Sequence, residues 1–83
     1  MITFSHVIQD REGLHARPVA LIAAESRKWE SAVTVAARGG STSGRDLMGL
    51  MGLDARQGDE LTVTIEGADE EACAEAVRGV FNF

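Results

Sequence analysis

The chain reads as an α+β protein: a four-stranded antiparallel sheet with helices on one face and the other face open to water, in the order β-α-β-β-α-β-α. Three observations predict this. Apolar and polar residues alternate with period two in several short segments, and between and after those segments apolar residues recur at helical spacing instead. The third is size. Eighty-three residues, 45% of them hydrophobic and 25% charged, suffice for one layer of helices on one sheet, so residues 1–83 are expected to form a single domain.

Each element follows from its pattern. Ile2, Phe4, His6 and Ile8 alternate with Thr3, Ser5, Val7 and Gln9, a half-buried strand in which His6 is the one polar inward member. The first helix is expected from Ala16 to Lys28, with Ala16, Val19, Ala20, Ile22, Ala23 and Ser26 inward and Arg17, Glu25 and Lys28 toward water. Trp29, just beyond it, is expected to close one end of the core. Val33, Val35 and Ala37 alternate with Thr34 and Ala36, and Gly39-Gly40 turns that second strand into a short third one as a hairpin. Asp46 caps a short helix over Leu47–Leu53. Gly58-Asp59 introduces the fourth strand, where Leu61, Val63 and Ile65 alternate with Thr62, Thr64 and Glu66. Asp69, Glu70 and Glu71 read as the capping and first-turn acids of the last helix rather than as metal ligands, and Cys73, Ala76, Val77 and Val80 form its apolar stripe.

Composition excludes several functions. With 8 Lys+Arg against 13 Asp+Glu the net charge is −5, and no basic face exists to neutralise a nucleic-acid backbone or anionic lipid. No window reaches the ~18 apolar residues of a membrane span, and the N-terminus lacks a basic region followed by an apolar one, so a cytoplasmic protein with no membrane insertion is expected. A lone cysteine, Cys73, supports neither an internal disulfide nor a cysteine zinc site and reads as a small core residue. His6 has no clustered ligand partners in sequence and reads as a satisfied, partly buried histidine. No cofactor and no metal are expected.

Chemistry concentrates in Gly13-Leu14-His15-Ala16-Arg17-Pro18. Pro18 lacks an N–H and has a preset φ, so it fits a first helical turn. The amide donors of that turn, Ala16 and Arg17 among them, have no intrahelical acceptor and can receive an anion, with the helix dipole contributing about 0.3–1 kcal/mol. Arg17 adds a planar cationic fork. His15 is a competent nucleophile near neutral pH, since imidazole titrates near 6.5 and one ring nitrogen is available without metal assistance. A phosphoryl acceptor fits this set of groups, and so does an ordinary loop histidine beside a helix start.

A second segment is Leu47-Met48-Gly49-Leu50-Met51-Gly52-Leu53. At 100° per residue Leu50 and Leu53 fall together, whereas Leu47, Met48 and Met51 fall on another side. If the first pair packs inward, the second set forms an exposed, adaptable docking patch. The alternative is a helix wedged deeper in the core.

Gly13–Pro18, Arg45-Asp46-Leu47-Met48-Gly49-Leu50-Met51-Gly52-Leu53, Gly58-Asp59 and Gly67-Ala68-Asp69-Glu70 together resemble HPr, the histidine-containing phosphocarrier family of the bacterial phosphoenolpyruvate:sugar phosphotransferase system, over essentially the whole chain. The resemblance implies an open-faced β-sandwich, a four-stranded antiparallel sheet with three helices on one face. It implies that His15 accepts a phosphoryl group on Nδ1 from phosphorylated enzyme I and donates it to enzyme IIA domains, as a stoichiometric carrier rather than an enzyme. Arg17 and Ala16 would steady the phosphoryl group, and Leu47, Met48 and Met51 would dock partners. A monomer is expected, since a carrier presents one face to donor and acceptor in turn.

The sequence departs from that family at identifiable places. Asp46 stands where many relatives carry a serine phosphorylated by a regulatory kinase. It reads as a helix cap, and also as a partial mimic of phosphoserine, carrying −1 against about −1.5 to −2. A second function therefore stays open, an HPr-like regulatory module whose Asp46 face engages a transcriptional regulator; a third, an unrelated small ligand-binding domain, requires both motifs to be coincidental. Glu12 replaces a small polar residue. It reads as a solvated loop side chain; if it lay ~8 Å from a phosphoryl group it would repel it by roughly 2 kcal/mol before screening, with Arg11 available to offset it. Asp54, where glycine is common in relatives, fits a turn position that Asp tolerates.

Overall fold

The computed structural model describes all residues from Met1 to Phe83. Four strands, β1 (Ile2–Val7), β2 (Ala32–Ala37), β3 (Gly40–Ser43) and β4 (Glu60–Glu66), and three helices, α1 (Ala16–Ser26), α2 (Leu47–Gly52) and α3 (Glu70–Arg78), follow the expected order. The sheet runs β1-β4-β2-β3, antiparallel throughout. The last strand in sequence thus lies inside the sheet and separates the two strands that α1 connects, a split β-α-β arrangement.

Strand alternation sets the two faces. Leu61, Val63 and Ile65 of β4 are fully buried beneath the helices, together with Val33 and Val35 of β2. Their out-of-phase neighbours form hydroxyl-rich rows on the open face, Thr3 beside Thr64, Thr34 and Ser43 in one row and Ser5 beside Thr62 in the next. Such side chains satisfy their own polar groups in water while their β-branched stems favour the strand. One sheet face is therefore buried and one solvated, with no edge-to-edge closure.

Local departures from the sequence reading have physical causes. Helix α1 stops at Ser26, and Ala16 and Ala20 are exposed, whereas Pro18 is buried beside Val19, Ile22 and Ala23. The inward stripe is rotated by the proline ring, the larger apolar surface in the first turn. Arg45 donates to the carbonyls of Ser26, the last residue of α1, and of Trp29 just beyond it, satisfying orphan acceptors at the helix end. Trp29 is half-buried against the core, its indole N–H donating to Glu25 at 3.1 Å. Cys73 lies in the core at 0% exposure, and burial pushes its thiol pKa up.

Asp69 corrects the capping reading. It occupies the N-cap position of α3 but makes no side-chain cap bond. Its carboxylate reaches across the fold instead, accepting from the Ser31 hydroxyl at 2.5 Å, the Ser31 amide at 2.9 Å and the Glu30 amide at 3.1 Å. These donors, the hydroxyl first, hold its pKa below the ordinary value. Glu70 serves the helix start by accepting from the Gly67 amide at 3.0 Å. His6 is a second correction: it is half-buried as expected, but its Nε2 is buried without a hydrogen-bond partner among Phe81 and Phe83, whose ring centroids lie 6.0 and 4.9 Å away.

Candidate functional site

The loop from β1 to α1 is pinned on both flanks. Ile8 and Leu14 are buried, and the Leu14 amide donates to the Ala55 carbonyl at 2.9 Å. Gly13 has φ +71°, and a Cβ there would come within 2.6 Å of the Ala55 carbonyl oxygen, so only glycine lets the loop turn this close to its neighbour. The Phe83 carbonyl accepts from both Gln9 and Asp10 amides, at 2.7 and 2.8 Å, bringing the end of the chain against the same loop.

His15 is the N-cap residue of α1, with extended backbone (φ −101°, ψ −175°) and no side-chain capping bond. Its carbonyl accepts the first helical bond, from the Val19 amide at 3.1 Å, so its backbone serves the helix while its imidazole is left for other use. Pro18 has no amide hydrogen, and the amides of Ala16 and Arg17 find no acceptor in the chain. Arg17 is exposed and forms no ion pair; its charge nevertheless contributes to keeping Asp10 ionised. His15, Arg17 and Pro18 line a shallow depression with Asp10, Glu12 and Phe83.

Asp10 is the site residue that the motif reading passed over. Its Oδ2 lies 3.1 Å from His15 Nε2, and its Oδ1 accepts from the Glu12 amide at 2.9 Å. The Glu12 amide, then the His15 ring, hold its carboxyl pKa below the ordinary value. The available sequence signal was an acid ahead of a glycine turn, but five intervening residue steps give no periodicity that would aim it at the ring.

Glu12 is a solvated loop side chain, as expected, and it stands beside the imidazole. Its Oε2 stands 3.9 Å from His15 Nε2, and its side chain is 75% exposed. From that side of the ring it attracts positive charge on the imidazole. Asp10, Glu12 and His15 are also the one set of groups close enough to share a cation, with ligand atoms within 4.8 Å of one another. The acids of Asp69–Glu71 form no such set.

Leu50 is completely buried under α2, and Leu47, Met48 and Met51 are exposed at 41%, 81% and 44%. A six-residue amphipathic helix cannot bury both sides, which produces this division. Met51 borders a depression that also includes His15, so the apolar patch and the histidine share one region of surface. Asp46 caps α2, its Oδ1 accepting from the Gly49 amide at 3.1 Å. Asp54 has φ +51°, the left-handed turn conformation expected for it.

Fold and site together define a small open-sheet protein with an accessible imidazole at a helix start, beside a cation and an apolar surface. The family model described as the PTS HPr component phosphorylation site matches residues 2–82. The chain is 32% identical to phosphocarrier protein HPr of Mycoplasma capricolum over 78 residues, covering 94% of this chain and 88% of that one. It is 35% identical to the Mycoplasma genitalium HPr, covering 94% and 90%. A solved mycoplasma histidine-containing phosphocarrier protein superimposes with TM-score 0.92 at 30% identity, covering 95% and 90% of the two chains. Bacillus anthracis HPr gives TM-score 0.85 at 27% identity, covering 98% and 96%. The chain belongs to the HPr family of phosphocarrier proteins of the phosphotransferase system. No helix is long and apolar enough to cross a membrane.

Proposed function

We propose that His15 carries the phosphoryl group, accepting it on Nδ1 from phosphorylated enzyme I and passing it to enzyme IIA domains. The observation that carries this reading is the placement of an accessible imidazole at the start of α1, spared from capping, next to Arg17 and the free amides of Ala16 and Arg17. Nε2 faces Asp10, leaving Nδ1 as the nitrogen with no partner in the chain. The Nδ1 lone pair attacks phosphorus as the donor's phosphoryl bond breaks, and the Arg17 guanidinium and helix-start amides neutralise the equatorial oxygens. Nothing in this step demands a deep pocket. A partner protein excludes water by covering the site.

Leu47, Met48 and Met51 supply the apolar part of that cover, with Met48 the most exposed side chain of the patch. Methionine adapts to different partner shapes, which suits a carrier that meets a donor and then an acceptor. Asp46 acts here as the cap of α2 and keeps the patch helical. The protein works as a monomer in this cycle.

Incubation with phosphoenolpyruvate and enzyme I tests the proposal. The expected product is an acid-labile, base-stable phosphoprotein, absent from His15→Ala. Label on His15→Ala, or none on the parent protein with an enzyme I active toward another HPr, rejects His15 as the carrier.

A further inference from the structure

The two oxygens of Asp10 do different jobs, and the difference bears on which nitrogen of His15 is reactive. Oδ1 is occupied by the Glu12 amide at 2.9 Å, and Oδ2 faces His15 Nε2 at 3.1 Å. The Asp10 backbone is fixed as well, its amide donating to the Phe83 carbonyl at 2.8 Å and its carbonyl accepting from the Gly13 amide at 2.9 Å. A side chain held at one oxygen and at both backbone groups cannot rotate freely to follow the ring. The ring must orient to it.

We infer that Asp10 is a positioning residue that selects the Nε2–H tautomer of His15 and so keeps the Nδ1 lone pair available for phosphoryl transfer. An ionised carboxylate only accepts hydrogen bonds, so the facing nitrogen must carry the proton. This role rests on His15 being the phosphoryl carrier, and the transfer cycle closes without moving a proton. In the forward step Nδ1 forms a bond to phosphorus, the donor's bond to phosphorus breaks with its electron pair leaving on the donor, and the ring becomes a cation that retains Nε2–H. Asp10, with Glu12 3.9 Å away, faces that positive charge. In the return step the P–Nδ1 bond breaks, its electron pair returns to Nδ1, and the neutral Nε2–H ring is regenerated. An unpaired ring would distribute between tautomers, and the Nδ1–H form has no lone pair to offer.

The test exploits an inversion. In Asp10→Asn the side-chain oxygen stays on the Glu12 amide, which places the NH2 group against Nε2. That group donates, so it favours the wrong tautomer, with the proton on Nδ1. Asp10→Ala merely removes the bias. Long-range proton–nitrogen NMR of the unphosphorylated protein with its His15 ring neutral is expected to show Nε2–H in the parent, a mixture in Asp10→Ala and a shift toward Nδ1–H in Asp10→Asn. Single-turnover phosphorylation by enzyme I should follow the same order, with Asp10→Asn about two- to fivefold slower than Asp10→Ala, since one neutral hydrogen bond shifts the tautomer ratio by about tenfold. A purely structural role predicts the reverse, because asparagine preserves the loop and alanine does not. Nδ1–H in the parent, or an unchanged tautomer in both variants, overturns the inference even if His15 is phosphorylated normally. A parent that shows Nε2–H yet accepts no phosphate rejects the carrier reading and leaves the tautomer assignment standing.

Discussion

Replacing Gly13 with alanine tests whether the loop before His15 is as tightly held as its geometry requires. The residue has φ +71°, and an added Cβ would lie 2.6 Å from the Ala55 carbonyl oxygen and 2.9 Å from Arg56 Cα. A left-handed backbone costs an L residue about 1–2 kcal/mol. Both obstructing atoms are backbone, so relief requires the Leu14 amide to draw away from Ala55, sacrificing a hydrogen bond worth about 1 kcal/mol. The total is about 2–3 kcal/mol, which for a domain of this size lowers the melting temperature by roughly 10–20 °C. Two controls separate the contributions. Gly58→Ala, at φ +91° with nothing within 4 Å of the new Cβ, suffers the backbone strain alone, about 1–2 kcal/mol. Gly39→Ala suffers neither and should fall within about 0.5 kcal/mol of the parent. Urea titrations followed by circular dichroism and Trp29 fluorescence give the three values. Equal losses for Gly13→Ala and Gly58→Ala would refute the close approach of the two loops.

Further outcomes follow from the packing and the charges. Leu50→Ala, at a fully buried position, should cost about 2–5 kcal/mol in chemical denaturation. Asp46→Ala removes the cap on Gly49 and should cost about 1 kcal/mol, whereas Asp46→Ser keeps a capping oxygen and stays within a few tenths. If negative charge on this face hinders an acidic partner, Asp46→Ser also speeds transfer from enzyme I in stopped-flow assays, and an equal rate leaves Asp46 as a cap alone. Burial lowers the His6 pKa, with the Phe83 backbone opposing the shift. The unfolded chain therefore binds a proton near pH 6.5 that the folded chain takes up only at lower pH, so stability falls as pH drops from about 6.5 through the folded pKa. In His6→Phe this part of the slope should vanish when urea midpoints at about pH 7.5 and pH 5 are compared with the parent; an unchanged slope excludes His6 as its source.

Much of the site is local and was legible for that reason. Gly13 to Pro18 is one turn and one helix start, so a left-handed glycine, a histidine outside the helix and a proline inside it specify the backbone among near neighbours. The exposed Leu47, Met48 and Met51 likewise follow from helical geometry over six residues. Asp10 was not legible, because its approach to Nε2 depends on a loop folded back by the Glu12 amide and held by Phe83, a residue at the far end of the chain. Asp69 misled for the same reason: its acid suits a helix start by local rules, but a hydroxyl and two amides at Ser31 and Glu30 are better donors for it once the fold has formed.

The sequence by itself determined the seven elements, the inward faces of β1, β2 and β4, a histidine with an adjacent arginine at the first helix start, and the division of α2 into buried and exposed sides. Those properties depend on periodicity and on turn chemistry within a few residues. Only the tertiary structure decided that β4 lies between β1 and β2, that Glu12 attracts charge on the far side of the ring, and that Asp10 faces Nε2. Strand order and side-chain partners depend on closing long loops over a shared core, and one chain's local preferences are nearly the same for every way of closing them.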